Sequence, residues 1–337
     1  MIISLNYQNL YDFDLESDFL LSQREANSDF LMTTTWDLNR NIDILNKGDI
    51  GAVGLAYGIR LNPKFSLGVS LNFWQDWLSN NGWEEHYREE TSGTQRIDFD
   101  YGPPGGVVNL VDLDITNNIS RIYKYEFRGF NANLGLLWRI NNMLTFGAVV
   151  KTPFEADLDF QQTYYSRLAW PGFENVINST SSEKQKLDMP LSFGIGFSYR
   201  FSDAFTVSTY LYRTEWQDFI LTRADGSKIS PITGLSEEES DIDATMQVRL
   251  GAEYLFIRPK YVVPLRAGIF YDPAPAMGSP DDFYGVSLGS GIKLGRYLFD
   301  VAYQYRWGDD VGSSLYRNLD FSRDVREHKI YTSLIVH

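Results

Sequence analysis

The sequence lacks three features that would each point to a familiar class of protein. None of its 337 residues is cysteine, which excludes a disulfide scaffold and thiolate chemistry. No run of about 18 apolar residues occurs, so no transmembrane helix is encoded. Basic residues are in the minority, with 30 Lys and Arg against 44 Asp and Glu. The net charge of −14 excludes nucleic acid as a partner, because its phosphates would be repelled.

What the sequence does contain is a regular alternation of apolar and polar residues. The stretch LDMPLSFGIGFSYRF (187–201) has an apolar residue at every odd position and a polar residue, a small residue or proline at every even one. This pattern predicts a β-strand with two unlike faces, because successive side chains of an extended chain point to opposite sides. Pro190 cannot donate a ladder hydrogen bond, so we expect a bulge or break there. The alternation recurs at 65–74, 130–140, 246–256 and 297–306.

The connections between these segments alternate in length. Short ones lie at 61–64, 140–142, 201–204, 257–260 and 294–297. Long ones lie at 13–48, 79–118, 164–183, 222–240, 273–282 and 308–325. This alternation predicts an all-β, antiparallel up-and-down meander of about 12 strands, with tight turns at one end and long loops at the other.

The chemistry of the two faces separates a soluble barrel from a membrane barrel. One face is mostly Gly and Ser with isolated charges, and the other is apolar or aromatic along most segments. About 12 strands enclose more space than one face could fill as a dry core, so a polar lumen and a lipid-facing apolar surface are favoured. The odd positions of 187–201 are then predicted to face lipid. The predicted lumen charges include Arg139, Arg200, Arg249 and Lys293.

Two segments carry a resemblance to a known family. Residues 188–219 combine a proline, a Gly-x-Gly pair, a tight turn and a later tryptophan. Residues 265–305 combine an Arg-x-Gly strand, a Pro-rich loop and a Gly-rich strand. Both resemble the FadL/TodX family of outer-membrane transporters of long-chain fatty acids and other hydrophobic compounds. The resemblance implies a transmembrane β-barrel in the bacterial outer membrane, with short periplasmic turns and long extracellular loops.

The resemblance also implies parts that the chain does not show. The family's barrel has about 14 strands and an N-terminal hatch that plugs the lumen. Here Met1 is followed at once by a strand-like segment, with no signal peptide before it. We therefore expect residues 1–337 to form a single barrel domain that is N-terminally truncated, lacking the signal peptide, the hatch and the first two strands.

Two of the long loops are unusually apolar. Their candidate ligand-binding residues are Val107, Val108, Leu110, Leu168, Trp170, Phe173, Val176 and Ile177. Apolar residues in a surface loop often pack on each other, and that interpretation stays open. The resemblance implies a second interpretation, in which these loops form an outer groove that captures a hydrophobic ligand.

The function that the resemblance implies is passive transport of long-chain fatty acids or other hydrophobic compounds. The alternative is a water-filled diffusion porin, or a structural barrel without a specific ligand. The lumen cations are able to pair with a carboxylate headgroup, or with Glu253, Asp300 and the hatch, and we favour the second pairing.

Catalytic chemistry has no support in the sequence. Its three histidines are scattered with no carboxylate at ligand spacing, and no nucleotide-binding loop lies at a strand-to-helix turn. We therefore predict no enzyme activity, no cofactor and no metal. Acidic runs at 84–90 and 237–243 are interpreted as solvated faces. The expected partners are a hydrophobic small molecule, outer-membrane lipid and lipopolysaccharide, and the chain is expected to be a monomer.

Overall fold

The fold is built almost entirely of β-strands. The computed structural model describes residues 1–29, 31–75, 81–101, 105–313 and 322–336. Within these ranges the chain forms eighteen strands and one single-turn 3₁₀ helix, Trp216–Asp218. The predicted all-β antiparallel class is confirmed. Over the same ranges, no helix combines the length and the apolar character needed to cross a bilayer.

The strands, in chain order, are β1 (Ile2–Asp12), β2 (Leu15–Asp29), β3 (Met32–Asn62), β4 (Phe65–Trp74), β5 (Gly82–Asp100), β6 (Val107–Arg139), β7 (Leu144–Lys151), β8 (Phe154–Trp170), β9 (Phe173–Met189), β10 (Ser192–Arg200), β11 (Phe205–Thr214), β12 (Ile220–Thr222), β13 (Lys228–Ile229), β14 (Thr245–Ile257), β15 (Val262–Tyr271), β16 (Tyr284–Leu294), β17 (Tyr297–Val311) and β18 (Arg323–Val336).

One set of antiparallel ladders forms what we call the barrel sheet. Its neighbours follow in the order β1, β3, β4, β6, β7, β10, β11, β14, β15, β16, β17 and β18. β3 and β6 enter it only through their second halves, 49–62 and 129–139. In the described part of the chain, β1 and β18 each pair on one side only. The assignment of residues 1–337 to one domain stays a prediction.

The short connections at 61–64, 140–142 and 201–204 are tight turns, as predicted, and in each of them a side chain accepts backbone hydrogen bonds. Asn62 accepts the backbone N–H groups of Lys64 and Phe65, each at 2.9 Å. The Asn141 side chain does the same for Met143 and Leu144 in the next short turn, and the Ser202 hydroxyl does so for Ala204 and Phe205 in the one after it. An Asn or Ser oxygen in this position imitates a backbone turn, which explains why these residues begin the turns. The three turns place one end of the barrel sheet at a common level.

Three of the long connections are strands, which corrects the prediction of loops at 13–48, 79–118 and 164–183. There β2, β3, β5, β6, β8 and β9 pair in that order, with β12 and β13 following at the edge. We call this sheet the extension. β3 and β6 have 31 and 33 residues and run through both sheets. The connections at 222–240 and 273–282 are mostly loops, as predicted, and 314–321 lies outside the described residues.

The outward face of β3 changes polarity along its length. Its outward residues are first polar and then apolar: Asp37, Asn39, Asn41 and Asp43, followed by Val53, Leu55, Tyr57 and Ile59. The inward residues change in the opposite sense: Trp36, Leu38, Ile42 and Ile44 give way to Ala52, Gly54, Ala56 and Gly58. The strand therefore has its apolar face inside in the extension and outside in the barrel sheet.

β6 changes polarity in the same way. Its outward residues pass from Asp112, Asp114, Thr116 and Asn118 to Phe130, Leu134, Leu136 and Trp138. The apolar outward stretch from Phe130 to Trp138 matches the length of about 9–11 residues that a tilted strand needs to cross a bilayer. Leu134 at its middle is 51% exposed. The prediction of an apolar outer surface and a polar interior is confirmed for the barrel sheet.

Pro190 interrupts a strand at the level of this change, as predicted. β9 ends at Met189 and β10 begins at Ser192. The interruption shifts the phase of the alternation, so Leu187 and Met189 face inward and are only 5% and 8% exposed. The prediction that all odd positions of 187–201 face lipid is therefore wrong for the part before Pro190. It is right for Phe193, which is 38% exposed, and for the odd positions that follow in β10.

The change of polarity in β6 can be tested with one substitution on each side of it. We expect Leu134→Arg to lower the free energy of unfolding by about 2–4 kcal/mol, because it places a charge at the middle of the lipid-facing stretch. Thr116→Arg is the matched control, since Thr116 lies on the same outward face of the same strand in the extension. Urea unfolding in lipid vesicles measures both. Equal losses of unfolding free energy in the two variants would contradict the placement of the bilayer around Leu134 and not around Thr116.

Candidate functional site

The predicted ligand-binding residues lie at the tips of two separate hairpins. Val107, Val108 and Leu110 are 63%, 44% and 52% exposed and lie at the start of β6. The other five lie on β8 and β9. The ladder between β6 and β8 begins at Thr116, opposite Ala169. The start of β6 therefore extends past the β8–β9 tip, and the structure does not bring the eight residues into one groove.

The β8–β9 tip is a stacked aromatic pair on a two-residue turn. The rings of Trp170 and Phe173 lie 3.9 Å apart at an interplanar angle of 12°. Pro171 and Gly172 make the turn, and Gly172 adopts φ = +86°, which only glycine reaches without strain. Phe173 remains 42% exposed. Leu168 and Ile177 share the inward face with this pair, whereas Val176 points outward.

Beyond the predicted ligand-binding residues, further apolar residues line the inward face of the extension. They are Trp36 and Leu38 on β3, Ile97 on β5, and Val111, Leu113 and Ile115 on β6. Cross-strand registers place them in adjacent rows, with Trp36 and Leu113 both opposite Gln95. The alternation of apolar and polar residues in these segments could have indicated strands. In these strands the apolar face points inward, unlike the outward apolar face of the barrel strands. The inward face therefore carries apolar side chains near the tips, whereas polar side chains such as Arg40, Glu89 and Thr91 lie between them and the base of the extension.

A row of aromatic rings crosses the base of the extension. Phe13 stacks on Trp83 at 4.7 Å between ring centroids, and Trp83 stacks on Tyr125 at 4.4 Å. Tyr125 contacts Phe160 at 5.0 Å. Trp83, Tyr125 and Phe160 belong to one register row of β5, β6 and β8. Each such ring pair stabilises the fold by about 0.5–1.5 kcal/mol beyond the contribution of the area it buries. The row is therefore a well-packed apolar surface.

Below this row a buried apolar cluster lies across the junction of the two sheets. Trp74 and Phe127 are 0% and 1% exposed. Phe219 and Leu221, from the segment after β11, pack against the same cluster. The Trp74 indole N–H donates to Asn131 at 3.0 Å, and Asn72 donates to the same oxygen at 3.2 Å. An apolar layer thus lies directly above a polar one at the mouth of the barrel sheet.

The acidic run at 84–90 is divided between the two faces of β5. Glu84 points outward, and its pKa is lowered by the hydrogen bond from Lys124 at 2.7 Å, with His86 adding to the effect. Glu85 points inward, and burial raises its pKa, with a partly opposing hydrogen bond from Trp83. Glu89 also points inward and accepts hydrogen bonds from Tyr87 at 2.6 Å and Thr91 at 2.7 Å. The interpretation of a solvated face is therefore wrong for Glu85 and Glu89.

The four predicted lumen charges all lie on the inward face of the barrel sheet. Within the described ranges, Arg249 is the one of the four that has a carboxylate partner. It lies 3.7 Å from Asp272. Glu253 and Asp300 pair with Arg266 instead, at 2.7 Å and 2.6 Å. Arg266 lies opposite Glu253 in the ladder, so register decides this pairing.

The remaining lumen cations lie toward the short turns. Arg139 and Arg200 line one cavity of ≈ 590 Å³ together with Lys64. Lys293 lies on β16 near the same end. Among the described side chains, no carboxylate is within ion-pair distance of any of these four cations. The expected pairing of Arg139, Arg200 and Lys293 with Glu253 and Asp300 is therefore wrong, and the expected pairing with the hatch stays a prediction.

The opposite pKa shifts of two adjacent residues give a test of the inward and outward assignment. Above its raised pKa, ionised Glu85 destabilises the fold, so Glu85→Gln should raise the free energy of unfolding at neutral pH relative to the parent chain. Glu84 stabilises the fold above its ordinary pKa and loses that effect as pH falls through its lowered value. Glu84→Gln should therefore cost about 0.2–1 kcal/mol at neutral pH.

The free energy of unfolding of both variants is measured by urea titration at about one-unit steps of pH between about 3 and 8. The gain from Glu85→Gln should disappear as the pH falls below the raised pKa. Effects of the same sign at neutral pH would show that the two carboxylates do not face different surroundings.

Comparison with known proteins identifies one family and several similar structures. The family model described as outer membrane protein transport protein (OMPP1/FadL/TodX) matches residues 47–323. A FadL homologue from Pseudomonas aeruginosa has 15% identity and a TM-score of 0.48, covering 98% of this chain and 87% of that one. The toluene transporter TbuX of Ralstonia pickettii has 13% identity and a TM-score of 0.45, covering 99% and 89%. The CymD monoaromatic hydrocarbon channel has 15% identity and a TM-score of 0.43, covering 90% and 87%. No curated protein matches the chain in sequence.

Proposed function

The chain belongs to the OMPP1/FadL/TodX family of outer-membrane β-barrels that transport hydrophobic compounds, and we propose that its own cargo is a long-chain fatty acid or a compound of similar length. Movement is passive and inward, from the tips of the extension to the barrel. The protein acts as a monomer in a bacterial outer membrane. Its apolar outer band contacts lipid, and its polar extension lies among the sugars and phosphates of lipopolysaccharide.

The observation that carries this proposal is the inward apolar face of the extension. Its apolar side chains include the stacked pair Trp170 and Phe173 at the tip and the aromatic row around Tyr125 at the base, and polar side chains such as Glu89 and Thr91 lie between these two sets. A flexible hydrocarbon tail fits an elongated apolar surface better than a compact pocket.

The energetics suit a passive route. Each methylene removed from water contributes about 0.8 kcal/mol, so an alkyl chain of about sixteen carbons gains on the order of 10 kcal/mol on an apolar surface. Capture therefore needs no energy source. Release from such a surface is the harder step, because the same free energy must be recovered in the next site along the path.

The alternative, a water-filled diffusion porin, is less compatible with the buried cluster at the mouth of the barrel. Trp74 and Phe127 are almost fully buried there, and Leu221 closes on them from the other side. Ions avoid such a layer because they lose their hydration in it. A compact monoaromatic cargo is a second candidate, favoured by the aromatic row. Toluene added as a competitor of a bound fluorescent fatty acid distinguishes the two candidates, because a site for a compact aromatic compound would release the fatty acid.

The capture step is tested by removing the stacked pair. We expect Trp170→Ser combined with Phe173→Ser to weaken the binding of a fluorescent long-chain fatty acid by about tenfold, since two exposed rings leave the apolar surface. Fluorescence titration of the purified protein in detergent measures the affinity. Leu20→Ser is the matched control, because Leu20 is 68% exposed but lies on the polar outward face of β2.

Two results would contradict the proposal. An unchanged affinity in the double variant would remove the β8–β9 tip from the capture step. Steady ion conductance of the purified protein in a planar bilayer would favour the diffusion porin instead.

A further inference from the structure

Apolar side chains close the mouth of the barrel sheet. Trp74 and Phe127 point inward there and are 0% and 1% exposed, because the buried cluster covers them. Leu137 lies on the same inward face of β6, nearer the short turns, and is 46% exposed. An inward side chain beside the open lumen is thus exposed, whereas one at the mouth is covered. A cargo that moves from the extension into the lumen has to displace part of this cover.

The segment between β11 and β14 supplies one side of the cover. Phe219, Leu221 and Ile229 come from this segment, and all three pack against the buried cluster. Leu221 is 9% exposed and Ile220 is 6% exposed. The other buried members of the cluster lie on β3, β4, β6, β8 and β9. We call residues 215–240 the mouth segment.

The two sides of the cover are held by ladders of very different length. β8 and β9 pair along their whole lengths, from the tip at Trp170 down to Met189. β12 has three residues, and its ladder with β9 runs from Ile220 to Thr222. On the other side of β12 lies β13, which has two residues. Of the described strands that carry buried residues of the cluster, β12 therefore has the shortest ladder to break.

The mouth segment leaves and rejoins the barrel sheet at one place. Thr214 and Thr245 lie opposite each other in the ladder between β11 and β14. The Trp216 indole N–H donates to the Thr245 hydroxyl at 2.9 Å. The residues that follow the segment are fastened separately, by the bridge between Ile242 and Met277. Movement of the part between these two fastenings leaves the ladders of the barrel sheet paired.

Hydrogen bonds within the mouth segment keep it together. The Arg223 N–H donates to the Ser227 carbonyl at 2.9 Å, which closes the turn between β12 and β13. The Glu237 N–H donates to the Lys228 carbonyl at 3.1 Å, and the two side chains form an ion pair at 3.4 Å. Both pairs lie inside the segment, so it can move as one unit when β12 leaves β9.

We propose that β12 is the gate of the barrel mouth, which leaves residues 186–188 of β9 when a hydrophobic cargo arrives and returns when the cargo has passed. The inference rests on the proposed function, because it assumes passage from the extension into the lumen. Opening in water exposes Phe219, Leu221 and the cluster that they cover, which the hydrophobic effect opposes. An alkyl chain replaces these contacts, so the open state is favoured when cargo is present. The gate thereby admits apolar compounds and excludes ions.

A disulfide that fastens β12 to β9 tests the gate, and the chain has no cysteine of its own to interfere. Thr222→Cys with Lys186→Cys joins two opposite positions on the outward face, away from the buried cluster. Opposite Cβ atoms in such a ladder lie about 4.5–5.5 Å apart, close to the separation in a disulfide.

We expect the oxidised variant to lose uptake of a fluorescent long-chain fatty acid by cells that carry it in their outer membrane. A reductant should restore uptake. Binding of the same fatty acid to the purified protein should not change, because the tips of the extension stay free. Gln161→Cys with Ser182→Cys is the matched control, since it joins opposite outward positions of β8 and β9 and leaves β12 free. Its uptake should equal that of the parent chain.

Three results would overturn the gate. Uptake at the parent rate in the oxidised variant would do so and leave the proposed function intact. Loss of binding together with uptake in that variant would show that β12 belongs to the capture site instead. If the parent chain neither binds nor takes up the fatty acid, the proposed function fails and the gate fails with it.

A second measurement detects the opening itself. Ala156 is 0% exposed within the buried cluster, so Ala156→Cys should react slowly with a maleimide and faster once the fatty acid is added. Ala276→Cys is the control, because Ala276 is 2% exposed and lies outside the cluster. An unchanged rate at position 156 would contradict the opening of the gate. An equal rise at both positions would show general unfolding and would also overturn the proposal.

Discussion

The alternation of side chains along antiparallel strands is the constraint on which everything else in this structure depends. Backbone groups inside a bilayer must all be paired, so the chain crosses it as strands within one ladder. Each strand then has two faces, and only the environment decides which of them is apolar. β3 and β6 show both solutions in a single strand. Their apolar residues face outward where lipid surrounds the wall and inward where water does.

Much of the architecture could be predicted because strand period and turn chemistry are local. Turn residues such as Asn62 and Asn141 accept backbone N–H groups within three residues, and this requires no knowledge of the rest of the fold. The strands of the extension were missed for a related reason. Residues 32–46 alternate as regularly as those of the barrel, but their charged face is the outward one. Because a membrane strand is expected to have an apolar outward face, a segment with a charged outward face was predicted to be a loop.

Features that depend on register could not be predicted. Leu187 and Met189 share the odd positions with Phe193, and only the interruption at Pro190 moves them to the interior. The partner of Glu253 is Arg266 because the ladder places them opposite each other. No pattern within either strand contains that information. The unpaired state of Arg139 and Arg200 follows from the same cause, since the carboxylates expected near them are used at another level.

The interruptions at the junction of the two sheets have a mechanical consequence. β1 passes to β2, β4 to β5, β7 to β8 and β9 to β10 with a gap between the two strands, whereas β3 and β6 continue without one. Among the described strands, β3 and β6 are therefore the ones that carry an unbroken backbone from one sheet to the other, with one strand between them in each sheet. Bending of the extension relative to the barrel sheet is resisted mainly by these two strands.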